Sequence, residues 1–201
     1  MKLPEKSLAL AVAISVMVLI MGAVGYLVIK GAESSRSDIP VLGEVPAFDF
    51  IDSSNRHFGN NELHGKINVI DFFFTSCRGP CPIMSANMAE LYQLFKDEKR
   101  IRFVSISVDP EIDTPVILRD YASNFGVMDD RWIFLNGAIE NVVLLSEQGF
   151  HLAAEGLPSM HSTKFILVDD KGRIRGYYSG TDDSSIKILI RDIHQLYHQL
   201  Q

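Results

Sequence analysis

The 201-residue chain has two cysteines, and both lie in Thr75-Ser76-Cys77-Arg78-Gly79-Pro80-Cys81-Pro82. Three residues separate them, one more than the spacing usual for dithiol exchange. The extra residue widens the loop and still leaves the sulfurs within reach of each other. Such a pair can close a disulfide, or turn both sulfurs toward one soft metal ion. A purely structural staple is poorly motivated, because closing so small a loop removes little entropy from the unfolded chain. A thiol at the start of a helix feels the helix dipole and unpaired N–H groups, which favour thiolate, and Arg78 adds positive charge nearby. Thiolate is the reactive form for both metal binding and exchange.

A metal site needs further donors. The histidines are His57, His64, His151, His161, His194 and His198. His194 and His198 stand one turn apart near the end of the chain and read as solvated, and His57 and His64 lie in turn-like polar segments. His161 differs, because Pro158-Ser159-Met160-His161-Ser162-Thr163 leads straight into an apolar run. A lone histidine is more often structural, so on its own His161 is a candidate by position only. Two thiolates with one imidazole would suit copper, especially Cu(I), ahead of zinc. A catalytic zinc would also need an open position and a reacting group nearby. Met84 and Met160 are soft and close in sequence, but packing is the ordinary role of such methionines. Asp109 and Glu111 read as a solvated loop that can come near the site.

The elements that must position these groups are visible as patterns. Ile67 to Phe74 is mostly apolar, as a strand covered on both faces should be. Ile83 to Lys96 reads as a helix, with Met84, Met88, Leu91 and Phe95 at three- and four-residue steps and Pro82 in the first turn. Ile101 to Val108 is a second buried strand. Asp113/Thr114-Pro115 opens a helix to about Phe125, with a cap residue followed by proline. Trp132 to Leu135 predicts a short strand and Ile139 to Leu145 a short helix. Lys164 to Val168 and Ile174 to Tyr178 flank Asp169-Asp170-Lys171-Gly172, a hairpin signature. Ser184 to Leu200 closes the chain as an amphipathic helix. Upstream, Val45 to Phe50 reads as an entry strand, with a turn at Ser53-Ser54-Asn55 before Arg56-His57-Phe58.

This order predicts an α/β fold, a mixed sheet with helices on both faces. A strand that empties into a thiol pair with a helix behind it is the arrangement of a thioredoxin-like fold. Ligands of open sheets gather at the carboxyl ends of strands, where Cys77 falls. In such a sheet the loop entering Lys164 to Val168 faces the thiols.

Leu8 to Ile29 is an uncharged run of 22 residues, enough to cross a bilayer as a helix. It is longer than the apolar part of a cleaved signal peptide, and no clear cleavage site follows. The expected layout is therefore a tail at 1–7, a transmembrane signal anchor at 8–29, a tether at 30–44 and one folded domain at 45–201. Lysines and arginines flank the span on both sides, so orientation rests on the short leading tail, which places the domain outside the cytoplasm. Disulfides can persist there, and the absence of an Arg-rich transit peptide favours a bacterial envelope over an organelle. The net charge of −6 and pI near 5.5 come without a basic cluster, so nucleic-acid binding has no electrostatic footprint.

Three ordered motifs carry a resemblance: Asp71 to Cys77 with Cys81-Pro82, then Ser105 to Pro115, then His161-Ser162 before a strand. Together they resemble the Sco/SenC family, copper-binding assembly factors for cytochrome c oxidase, over about Val45 to Gln201. The resemblance implies a thioredoxin-like fold and copper held by Cys77, Cys81 and His161. It implies as partners a copper donor protein and the copper-containing subunit of a respiratory oxidase, at the bacterial inner membrane with the domain facing the periplasm or cell exterior. The implied work is copper delivery or reduction of the recipient's cysteines. The chain departs from the family pattern twice. Arg78 stands where proline usually follows the first cysteine, and Met160 where aspartate often precedes the histidine. Both changes lean toward Cu(I) or thiol redox work over tight Cu(II) binding.

A rival reading is a metal-independent thiol–disulfide oxidoreductase in which Cys77 and Cys81 are the catalytic redox pair and His161 is dispensable. A thiol peroxidase fits less well, since paired cysteines are not a single activated nucleophile. A structural or interaction module would tolerate loss of both cysteines.

Overall fold

The computed structural model describes residues 14–27 and 39–200, in two compact units divided after Asp38. In the first unit residues 14–27 form a helix, α1, with its side chains exposed. Among the described residues no helix is long and apolar enough to cross a membrane. The remainder of the expected 8–29 span, the 1–7 tail and residues 30–38 of the tether lie outside the described residues.

The second unit carries an eight-stranded sheet in the order β1-β8-β7-β4-β5-β6-β2-β3. The strands are β1 (Gly43–Glu44), β2 (Asp49–Asp52), β3 (His57–Gly59), β4 (Ile67–Phe73), β5 (Ile101–Ser107), β6 (Trp132–Asn136), β7 (Lys164–Val168) and β8 (Arg173–Ser179). The helices are α2 (Asn60–Leu63), α3 (Cys81–Leu94), α4 (Pro115–Asn124), α5 (Ile139–Leu144), continued by a π-helical turn at Leu145–Gly149, and α6 (Asp183–Gln199). β4, β5 and β6 run parallel, and the other pairings are antiparallel.

Every residue of β4 is buried, which is why its sequence lacks polar alternation. Ile67, Val69 and Phe73 join α3, α4 and α6 in one core, while Ile70 and Phe72 join α2, α5 and the π-turn in the other. The sheet is therefore covered on both faces, as the element order predicts. Register places the end of β4 beside the end of β5, with Phe73 opposite Ser107. The cysteine loop and the Asp109–Asp113 loop leave the sheet side by side at this edge.

The expected entry strand is two strands at opposite sides of the sheet. β1 pairs with β8, whereas β2 pairs with β3 and β6. Pro46 lacks the N–H that a ladder needs, so the chain breaks there and crosses over. Residues 39–44, expected in the tether, belong to the folded unit. Ile39 is buried, and its carbonyl and that of Pro40 accept hydrogen bonds from Arg175.

Candidate metal centre

Cys77 follows β4 in the loop, Cys81 is the first residue of α3, and His161 precedes β7. Their ligand atoms all lie within 4.8 Å of one another. Pro82 sits in the first turn of α3, where its missing N–H leaves no helical bond unmade. The Cys77 N–H turns back to the Phe74 carbonyl at 3.3 Å, and the Gly79 N–H points to Cys77 Sγ at 3.4 Å. Both cysteines are free thiols, Cys77 half-buried and Cys81 buried.

The His161 ring stands edge-on to Phe74, with centroids 5.6 Å apart. Its Nδ1 lies 3.0 Å from the Ser162 carbonyl. A carbonyl can only accept, so Nδ1 carries the proton and Nε2 offers its lone pair. That lone pair faces Cys81 Sγ at 3.0 Å. The orientation is the one a metal-binding imidazole needs, with the far nitrogen tied to backbone. Burial also holds the His161 pKa below its ordinary value, against the opposing pull of the Ser162 and Phe72 carbonyls. The ring is thus neutral and able to donate to a metal at neutral pH.

One sequence expectation is reversed for Cys81. A helix start favours thiolate, but burial pushes this thiol well above its ordinary range, and neighbouring Cys77 adds to the shift. Cys81 is 1% exposed, so desolvation outweighs the dipole. Arg78 is exposed, where water screens its charge. A cation that binds here must displace the Cys81 proton, which couples binding to proton release.

Two sulfurs and one imidazole form a soft, three-donor set. With metal–sulfur bonds of about 2.3 Å and a metal–nitrogen bond of about 2.0 Å, ligand atoms sit roughly 4 Å apart. From the observed spacing, closure on an ion needs side-chain movements of under about 1 Å.

Other candidates fall away from this cluster. The remaining histidines are exposed, and His57 meets Asp49 at 3.0 Å. Met84 is fully buried in the core of α3, α4 and α6. Met160 is 71% exposed beside His161. Asp109 is half-buried, its carboxyl pKa raised by burial and by Asp113 and Glu111.

Sequence reasoning misses the burial of Asp71 and Asp113, two of the buried carboxyls. Asp71 lies in β4 on the face of the thiol helix, and accepts a 2.6 Å hydrogen bond from Ser105, which accepts one from Trp132. The available signal is a single charge inside an apolar strand. Asp113 reads in the sequence as part of a helix cap. Thr114 occupies the cap position without a side-chain bond, and the Asp113 carboxylate turns inward to Thr75 and Ser107.

With this geometry in place, comparison with known proteins is direct. A family model described as SCO1/SenC matches residues 41–198. The SCO1 protein homolog of Bacillus subtilis (strain 168) is 32% identical over 160 residues, covering 77% of this chain and 83% of that protein. The structure of BsSco, described as a member of the Sco family of cytochrome c oxidase assembly proteins with a disulfide switch, is 30% identical with a TM-score of 0.69. The match covers 78% of this chain and 95% of that one. ScoI of Bradyrhizobium japonicum, solved with copper bound, shares the fold at 22% identity and a TM-score of 0.64, covering 76% of this chain and 99% of that one. The matched region spans every element from β1 through most of α6, cysteine loop and histidine loop included, and the chain belongs to the SCO1/SenC family.

Proposed function

We propose that the chain is a membrane-anchored copper metallochaperone whose folded unit lies outside the cytoplasm. Cys77, Cys81 and His161 bind copper, and the cargo is passed toward the copper centre of a cytochrome c oxidase. The single observation that supports this most is the Cys81–His161 contact at 3.0 Å, with the tautomer that presents Nε2 to the thiols. The imidazole joins both sulfurs in one three-donor cluster, which is what a soft metal ion requires. The donor set suits Cu(I), and the relatives described as oxidase assembly proteins and as copper-bound agree with it. The uncharged run at 8–29 supplies the anchor. A copper donor and the oxidase's copper-containing subunit are the partners.

A second reading, thiol–disulfide exchange on the recipient's cysteines, draws on the free and closely placed thiol pair. The two readings separate in cells. In a host deleted for the chain, oxidase copper content is expected to fall, and to return with the wild type but not with His161→Ala. Full recovery with His161→Ala would favour dithiol exchange.

A further inference from the structure

We propose that Asp113 is a positioning residue of the metal centre, acting through Thr75 to hold the cysteine loop and the histidine ring in register. This rests on the copper-binding reading of Cys77, Cys81 and His161. The Asp113 carboxylate is fully buried and takes three donors at the point where β4 gives way to the loop. The Thr75 N–H reaches Oδ2 at 3.1 Å and Oδ1 at 3.3 Å, and the Thr75 hydroxyl donates to Oδ1 at 2.5 Å. The Ser107 hydroxyl, at the end of β5, donates to Oδ2 at 2.6 Å. Among the described residues no ion pair involves Asp113.

A buried carboxylate without a cation is expensive unless hydrogen bonds replace its water. Here they do, and all of them converge on the seam between the cysteine loop and the neighbouring strand. The anchor is itself fixed from both sides. The Asp113 N–H bonds the Asp109 carbonyl at 2.9 Å, and the Asp113 carbonyl accepts from Asn136 at 2.8 Å.

Thr75 occupies the position from which both halves of the site are set. Its predecessor Phe74 carries the ring against which His161 stands edge-on. Its successor but one is Cys77, whose N–H returns to Phe74. β4 ends at Phe73, so past that point no sheet ladder holds the chain. The Asp113–Thr75 bonds replace that ladder for one more residue. Without them Phe74 and Cys77 are free to drift relative to Cys81, which the helix holds independently.

The test uses the reduced full-length chain in detergent, comparing wild type, Thr75→Val, Thr75→Ser and Asp113→Asn. Thr75→Val keeps the shape and removes the hydroxyl, whereas Thr75→Ser keeps the hydroxyl. Affinity for Cu(I) is read by competition with a chromophoric chelator, and the Cu(II) complex by its sulfur-to-copper absorption. Thr75→Val and Asp113→Asn are expected to bind Cu(I) about tenfold more weakly, the worth of one hydrogen bond to a charged acceptor. Their sulfur-to-copper band should shift, and Thr75→Ser should restore the wild-type values. Because both substitutions act on the same Thr75–Asp113 contact, the double variant Thr75→Val/Asp113→Asn should be no worse than the weaker-binding single variant. A Thr75→Val protein with lowered thermal stability but wild-type affinity and absorption would overturn the proposal, because it would reduce the contact to fold support. If the wild type binds no copper, the copper reading fails, and the clamp is then decided by alkylation of Cys77. A several-fold faster reaction in Thr75→Val sustains the clamp, and an unchanged rate overturns it.

Discussion

At pH 8 the Asp71→Asn protein is expected to melt at a higher temperature than the wild type, by on the order of 10 °C, and at pH 4 the gain should vanish. Burial raises the Asp71 carboxyl from 3.8 to about 7, partly offset by the hydrogen bond from Ser105. The sign follows from where the proton sits. Below the unfolded-state pKa both states hold it, and folding carries no ionisation penalty. From about pH 4 to 7 the unfolded chain has released the proton while the folded chain keeps it. Stability therefore falls as pH rises, by about 1.4 kcal/mol per unit. Above pH 7 the accumulated penalty is roughly 4 kcal/mol. Asparagine retains an oxygen to accept from Ser105 and has no charge to desolvate, so its stability should be nearly flat over this range. Thermal unfolding of both proteins between about pH 4 and 8 checks the claim. A gap between the two proteins that does not change with pH would contradict it.

Oxidation of the thiol pair should abolish copper binding altogether. In the proposed site both sulfurs are needed as thiolates, and a disulfide would consume both. It also draws them to about 2.05 Å, closer than two ligands of one ion can stand. Protein treated with diamide until free thiols are lost should retain less than about a tenth of the copper held by the reduced protein. Reduction with dithiothreitol should restore it. Copper bound with equal affinity before and after oxidation would mean that the cysteines are not the ligands. On the proposed reading the metal-loaded and disulfide states exclude each other, so copper delivery and thiol exchange would be successive steps of one molecule.

Much of the fold is legible in the sequence because it follows from burial. A strand covered on both faces must be apolar throughout, as β4 is, and a helix with one buried stripe must repeat every three to four residues, as α3 does. Both elements lie within two residues of their expected bounds. The Asp169–Gly172 turn is equally plain, with Gly172 at φ +74° as the hairpin requires. The cysteines announce themselves by their rarity. His161 does not, because a histidine before a strand has no local signature and becomes a candidate only through topology and the family motifs.

Two of the misreadings depend on the surroundings of a residue. Asp113 precedes Thr-Pro, a pattern that looks like a helix cap, but the polar groups nearest its carboxylate in space are Thr75 and Ser107, 38 and 6 residues away. Cys81 sits at a helix start and still titrates high, because burial is a property of the packed core. The entry strand fails at a single residue, Pro46, whose missing N–H separates two strands that the apolar pattern joins.

The most direct test of the account is copper stoichiometry and affinity for the reduced full-length chain, measured beside Cys77→Ala, Cys81→Ala and His161→Ala by chelator competition. The prediction is about one tightly held copper in the wild type, lost in all three variants, as a three-donor soft site requires. Copper kept at wild-type affinity by His161→Ala would remove the imidazole from the site, and a wild type that binds none would contradict the central claim and leave dithiol exchange as the function.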